Sequence, residues 1–278
     1  MTTSQRYAFL LEYDGAGFCG WQTQRRRLSD DNPSSCPTVQ EALELALARI
    51  AGAPVSVVAA GRTDTGVHAT AQMVHADIAV HRPLSAWSRG VNTYLPDSVS
   101  VLWARPVSAD FHARFCATSR HYVYWLLNRP TRPALWAGKA GWYHRALDVE
   151  AMQMAANALL GTHDFSSFRA SLCQAASPVK TLTRCGVTRH DDWIRFEFSA
   201  NAFLHHMVRN IIGALIWVGN GQKPPTFPAE LLEKRDRTLS APTFSAAGLY
   251  LSGVDYPPVW GLPQIYRAPV LGIAKEGA

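Results

Sequence analysis

Lysine is scarce in this chain. Of its 27 basic residues only Lys139, Lys180, Lys223, Lys234 and Lys275 are lysines, so arginine carries the positive charge. Charged residues make up 17% of the sequence against 47% hydrophobic ones, which excludes a disordered, highly charged chain and points to a well-filled core. Cysteine is sparse too: Cys19, Cys36, Cys116, Cys173 and Cys185 are an odd count with no C-x-x-C pair. Neither a disulfide framework nor a cysteine zinc site is expected from that spacing, and all five read as reduced thiols. The longest apolar run, Ile211 to Val218, is too short to cross a bilayer. The polar opening Met1 to Arg6 lacks the zones of a signal peptide. A soluble cytoplasmic protein with no membrane association is the expectation.

What is present is basic and aromatic. The formal charge is +6 and the isoelectric point about 9.2. Arginine grips phosphate through a planar fork and stacks on bases, so this balance leans towards a nucleic-acid partner. A genome rich in G and C would also favour arginine without any functional meaning.

Hydrophobic periodicity orders the elements. Tyr7, Phe9, Leu11 and Tyr13 alternate as a strand that ends at Asp14-Gly15. A polar insertion from Thr23 to Pro37 holds Arg25-Arg26-Arg27 and reads as a solvated loop. Thr38 and Glu41 form a capping box for a helix through Val39, Leu43, Ala46 and Ile50, which Gly52 and Pro54 stop. Strands are predicted at Val55 to Ala60, Ala71 to Val80 and Val99 to Val107, with a helix over Leu84 to Leu95. The order is βαββαβ, the ferredoxin-like pattern. A second such unit follows. Its strands are His121 to Leu127, Thr181 to Arg189, Trp193 to Ser199 and Leu249 to Val254, with helices after Asp148, from Phe203 to about Val218, and from Ala229 to Lys234. The expected class is α+β: two ferredoxin-like or RRM-like βαββαβ halves, residues 1–108 and 109–278, whose antiparallel sheets join into one central sheet with a cleft between the halves.

Chemistry concentrates in Gly61-Arg62-Thr63-Asp64-Thr65-Gly66-Val67-His68, a connection between two strands. Glycines bracket a carboxylate, a guanidinium and an imidazole there, although a hairpin loop stabilised by its own aspartate would look similar. Three other clusters stand out. Phe111-His112-Ala113-Arg114-Phe115 precedes a strand on which Tyr122 and Tyr124 share one face. Gly161-Thr162-His163-Asp164-Phe165-Ser166-Ser167-Phe168-Arg169 reads as a C-cap and turn. In Phe203 to Gly213, helical spacing aims His205 and His206 towards Arg209. Adjacent helical residues point about 100° apart, so the two histidines are not expected to hold a metal.

These segments, with Tyr13-Asp14-Gly15, Phe18 through Gln22 and Gly248-Leu249-Tyr250-Leu251, closely resemble the tRNA pseudouridine synthase A family over nearly the whole length. The insertion at Arg25 to Pro37 and a variable stretch from Leu172 to Val179 depart from it. The resemblance implies a cofactor-free homodimer that isomerises uridine to pseudouridine in the anticodon arm of tRNA, at uridines 38 to 40. It makes Asp64 the catalytic residue and Arg209 its partner, which would hold the carboxylate charged. It makes Tyr122 the residue that stacks on the turning uracil, and Arg62 the one that helps extrude the nucleotide.

The residue types suit that chemistry on their own terms. Breaking the glycosidic bond leaves an electron-poor sugar carbon, and a lone carboxylate can attack C1′ or remove a C2′ proton. No second acid lies beside Asp64, which argues against hydrolysis by a carboxylate pair. Asp64-Thr65-Gly66 also spells the aspartic-protease tripeptide, but an adjacent arginine would oppose the shared proton that such a dyad needs. A non-catalytic RNA-binding protein using an open basic sheet is the alternative from another class.

Overall fold

The computed structural model describes residues 4–23, 36–171 and 173–269. The arginine triplet of the polar insertion lies outside them. The class is α+β as expected: among the described residues ten strands pair mostly antiparallel, beside few helices. The chain divides into two compact units, Met1–Thr118 with Leu251–Arg267, and Ser119–Tyr250 with Ala268–Ala278. The expected boundary at 108/109 falls ten residues short of this division. The reason is local bonding: Arg6 Nη1 donates to the Phe111 carbonyl at 2.8 Å, and Tyr256 Oη donates to the Ala113 carbonyl at 2.7 Å.

In the first unit, β1 (Gln5–Tyr13) lies between β3 (His68–Ile78) and β4 (Val99–Pro106), with Phe9 opposite both Val74 and Ala104. The closing strand β10 (Leu249–Asp255) follows β3 in the order. Helix α1 (Val39–Ala51) begins at Thr38, whose Oγ1 accepts from the Glu41 amide at 3.3 Å, and ends at Gly52 with φ 72°. It buries Val39, Leu43, Ala46 and Leu47, the face that the periodicity predicts. The expected strand from Val55 shrinks to β2 (Val58–Ala59), because the Val57 amide donates to Glu44 Oε1 on α1 instead of to a ladder. The expected helix after Leu84 widens into a π-helical turn over Ala86–Gly90, which buries Trp87 against Tyr7.

In the second unit the order is β5 (Ser119–Asn128), β9 (Trp193–Ala200), β8 (Val179–His190), β7 (Gly161–Asp164), with β6 (Gly141–Tyr143) parallel to β5. Helix α2 (Val149–Asn157) starts at Asp148, whose carboxylate accepts from the Ala151 amide at 2.9 Å. Helix α3 (Met207–Gly219) is apolar almost all round and buries Val208, Ile211, Ile212, Leu215 and Val218. Helix α4 (Phe227–Lys234) completes the set.

Two further expectations are corrected. Gly161 to Asp164 is a strand paired with β8 rather than a C-cap and turn, with Thr162 Oγ1 2.8 Å from Thr181 Oγ1 across the pair. Cys19 and Cys36 form a disulfide, with Cα atoms 5.6 Å apart. Sequence spacing excludes a C-x-x-C site but says nothing about a pairing made by tertiary structure. Here the Cys19 amide donates to the Pro37 carbonyl at 2.9 Å and sets the two backbones side by side. Cys116, Cys173 and Cys185 are free thiols.

Candidate active site

Arg62 and Asp64 lie in the connection between β2 and β3, Arg62 exposed and Asp64 half-buried, with Thr63 buried between them. The backbone turns over Asp64 to Val67, the Val67 amide donating to the Asp64 carbonyl at 3.1 Å, and Gly66 takes φ 76° within that turn. Glycine is the residue that accepts this conformation without strain.

The loop is pinned from below. The Trp21 amide donates to the Thr63 carbonyl at 3.0 Å, and Tyr13 Oη lies 2.8 Å from Thr63 Oγ1 in a buried contact. Gln72 Nε2 donates to the Gly61 carbonyl at 2.6 Å. Gly20, at φ 86°, is so close that a Cβ there would stand 2.7 Å from the Thr63 carbonyl oxygen. Gly15 packs against Val67 in the same way, and a Cβ on it would collide with the Val67 carbonyl. Its amide also donates to His68 Nδ1 at 3.0 Å, with the Asp14 carboxylate 2.9 Å from the same nitrogen. Two glycine-bearing segments forty residues or more upstream therefore form the bed on which the Asp64 loop rests. Burial pushes the Tyr13 phenol up to about 12, although its contacts with Thr63 and Gln72 oppose the shift, so it remains a hydroxyl.

The Phe111 segment is tied to β3. The Ala113 amide donates to His75 Nδ1 at 3.1 Å, and the His75 and His112 rings lie 4.8 Å apart. Burial lowers His75 to about 4, and the nearby Arg6 and His112 charges reinforce that shift, so the ring is a neutral acceptor. His112 Nδ1 in turn accepts from the Phe115 amide at 3.2 Å. That turn presents Phe115, 75% exposed, with the Arg114 guanidinium 5.5 Å above its ring. An exposed ring carrying a cation is a surface on which a base can stack.

The second unit holds Tyr122 and Arg209. Tyr122, on β5, is 8% exposed and meets Phe203 edge to face at 5.1 Å. Tyr124 on the same face is fully buried, its hydroxyl donating to the Ser245 carbonyl at 3.0 Å, and burial pushes its phenol up. Arg209 Nε donates to the Phe244 carbonyl at 2.8 Å, and the Phe244 amide donates back to the Arg209 carbonyl at 3.3 Å. This two-way link fixes the first turn of α3.

The expected helical alignment of His205, His206 and Arg209 is corrected. Helix α3 begins only at Met207, and His206 takes a left-handed backbone with φ 62°. The histidines belong to the turn before the helix, where the His205 carbonyl accepts from the Ala170 amide at 3.0 Å.

The structure thus brings Arg62 and Asp64 into one loop of the first unit, and holds Tyr122 and Arg209 on neighbouring parts of the second. Sequence reasoning missed the residues beneath them. Gln72 is fully buried, and the only signal for it is a glutamine in the middle of an apolar strand. Asn210 is likewise fully buried. It donates to the Phe168 carbonyl at 2.8 Å and accepts from Thr243 Oγ1 at 2.7 Å and Arg237 Nη2 at 3.1 Å, joining three segments. Chemically, the arrangement offers one accessible carboxylate on a rigid loop, with exposed arginine and aromatic side chains suited to RNA.

The family model described as tRNA pseudouridine synthase matches residues 11–116 and 155–257, which include Arg62, Asp64 and Arg209 but not Tyr122. The chain is 57% identical over 269 residues to the tRNA pseudouridine synthase A of Methylobacillus flagellatus, covering 97% of this chain and 100% of that one. It is 55% identical over 258 residues to the protein of the same name from Nitrosomonas eutropha, covering 93% and 90% of the two chains. The corresponding protein of Dechloromonas aromatica is 54% identical over 259 residues, covering 93% and 95%.

Proposed function

The chain belongs to the tRNA pseudouridine synthase family, and on that premise we propose that Asp64 drives the isomerisation of uridine to pseudouridine in the anticodon arm of tRNA. The enzyme is an isomerase acting on tRNA. The observation that carries the assignment to Asp64 is a half-buried carboxylate on a backbone that Tyr13, Trp21 and Gln72 hold from three sides. Such a loop keeps a reacting group in place without spending substrate binding on ordering it.

In the reaction the C1′–N1 bond breaks, uracil turns while bound, and C5 joins C1′. The C5 proton leaves and N1 ends protonated, so atoms balance with no co-reactant. Asp64 serves either by adding to C1′ or by taking a C2′ proton. Arg209, fixed through Phe244, serves as a substrate-binding cation. Tyr122 stacks on the base while it turns, and Arg62 takes the place of the extruded nucleotide. Flipping costs a few kcal/mol, less in a loop than in a duplex. The working form is a cytoplasmic homodimer.

The test is tRNA labelled with tritium at uridine C5, since isomerisation releases that label. The proposal expects release from tRNA with a uridine in the anticodon arm and none when that uridine is replaced by cytidine. Binding without any release would leave an RNA-binding platform in place of the enzyme.

A further inference from the structure

The second unit contains a cleft of about 390 Å³ that takes no part in the proposed chemistry. Its walls are Asn128 to Pro130, at the end of β5, His144 to Leu147, after β6, and Arg189 of β8. Three guanidinium groups and an imidazole line it, and no carboxylate does. Among the described residues, Arg129, Arg145 and Arg189 form no ion pair. Arg129 Nε donates to the Thr131 carbonyl at 3.1 Å and Arg189 Nη1 to the Asp191 carbonyl at 3.2 Å, which leaves the exposed Arg145 as the guanidinium with no hydrogen bond or ion pair among the described residues, and three cations in one lining favour an anion there.

The cleft is built rather than incidental. Asn128, 7% exposed, donates through Nδ2 to the carbonyls of Tyr143 at 3.0 Å and Arg145 at 2.6 Å. Its Oδ1 accepts from Arg189 Nη2 at 2.8 Å, and the same Nη2 donates to the Leu147 carbonyl at 3.0 Å. One buried amide therefore sets both walls and aims one of the cations. At the rim, Trp142 Nε1 donates to the Arg129 carbonyl at 2.9 Å, while its ring is 37% exposed and stands 6.0 Å from the His144 ring. Arginines beside exposed rings suit a nucleotide, phosphate in the cleft and base on the aromatic face, better than a bare inorganic ion.

We propose that this cleft binds a backbone phosphate of the tRNA, as a contact separate from the catalytic residues. Asn128 lies six residues along β5 from Tyr122, about 20 Å at the rise of a strand. The phosphate held here belongs to a nucleotide other than the one that reacts. The proposal rests on tRNA as substrate. Its role is to fix the register of the RNA, since phosphate contacts position while base contacts specify.

The test compares the full-length wild type with Arg145→Gln and Arg145→Lys. Arg189 is avoided because it braces the cleft. Affinity for tRNA is measured across a salt series. Arg145→Gln is expected to weaken binding roughly three- to tenfold near 0.1 M salt and to reduce the slope of log affinity against log salt by about one, with Arg145→Lys restoring most of both. Equal affinity and equal slope for wild type and Arg145→Gln would overturn the proposal. So would a thermal shift caused by inorganic phosphate in the wild type and lost in Arg145→Gln while tRNA affinity stays unchanged, because the cleft would then be a site for a small phosphate. Unaltered melting temperatures show that each variant folds. Tritium release by the wild type reports on the isomerase assignment separately, so the two ideas fail independently.

Discussion

At the scale of single residues, the groups that hold the Asp64 loop are distinct from Asp64 itself. The buried Tyr13–Thr63 contact is a holding interaction. Tyr13→Phe strands the Thr63 hydroxyl in a buried setting, and a cost of about 1–3 kcal/mol in unfolding free energy is expected. Turnover should fall while tRNA affinity stays near that of the wild type, because phosphate contacts dominate binding. Adding Thr63→Val to that variant should recover part of the stability, since both partners of the bond are then gone. Chemical denaturation and single-turnover rates on the three variants check this. Asp64 itself was legible in the sequence because a carboxylate, an arginine and a histidine between two glycines are a conspicuous local group. Gln72 and Asn210 were not, because their importance lies in carbonyls of remote segments that no spacing encodes.

At the scale of elements, the Asp64 loop depends on glycines that belong to another segment. Gly20→Ala places a Cβ 2.7 Å from the Thr63 carbonyl and also opposes φ 86°. Gly52→Ala opposes a similar φ at the end of α1 but meets nothing within 4 Å. The second substitution is expected to cost about 1 kcal/mol of backbone strain alone. The first should cost more and should also depress turnover, and melting temperatures with initial rates for the pair test the contrast. The Cys19–Cys36 bond closes a loop of sequence separation 17 next to that same glycine. On the chain-entropy account its loss removes up to about 3 kcal/mol, so Cys36→Ser or added reductant should lower the denaturation midpoint. Elements with long periodic faces, α1 and β1, matched their expected positions. The failures were short or terminal ones. β7 has four residues and little apolar pattern, β2 gives up its ladder to Glu44, and α3 starts late because His206 leaves the helical region.

At the scale of the whole molecule, acid should destabilise the fold through His75, which burial keeps neutral. His75 lies at about 4 in the folded protein against 6.5 when free, and burial also lowers His112. Below pH 6.5 the unfolded chain takes up a proton that folded His75 refuses, so its contribution to stability declines as pH falls from about 6.5 to about 4. It is fully present above that window. The slope from this one group is at most ~1.4 kcal/mol per pH unit. His75→Asn keeps an acceptor for the Ala113 amide but cannot titrate, and unfolding curves at pH 7, 5.5 and 4.5 should show a shallower decline for it. The repeated element order put Leu249 to Val254 in the second half, whereas most of that strand belongs to the first unit. The return of Leu251–Arg267 to the first unit was not legible, because nothing in the composition of β10 marks a change of partner.

The central claim is that one carboxylate, Asp64, performs the isomerisation. It is tested most directly by Asp64→Asn, an isosteric change, with tritium release from C5-labelled tRNA and tRNA affinity measured on the same preparation. The account predicts a fall in release on the order of 10⁴-fold or more with affinity close to wild type. Release at a rate comparable to wild type, or loss of tRNA binding together with unfolding, would contradict it.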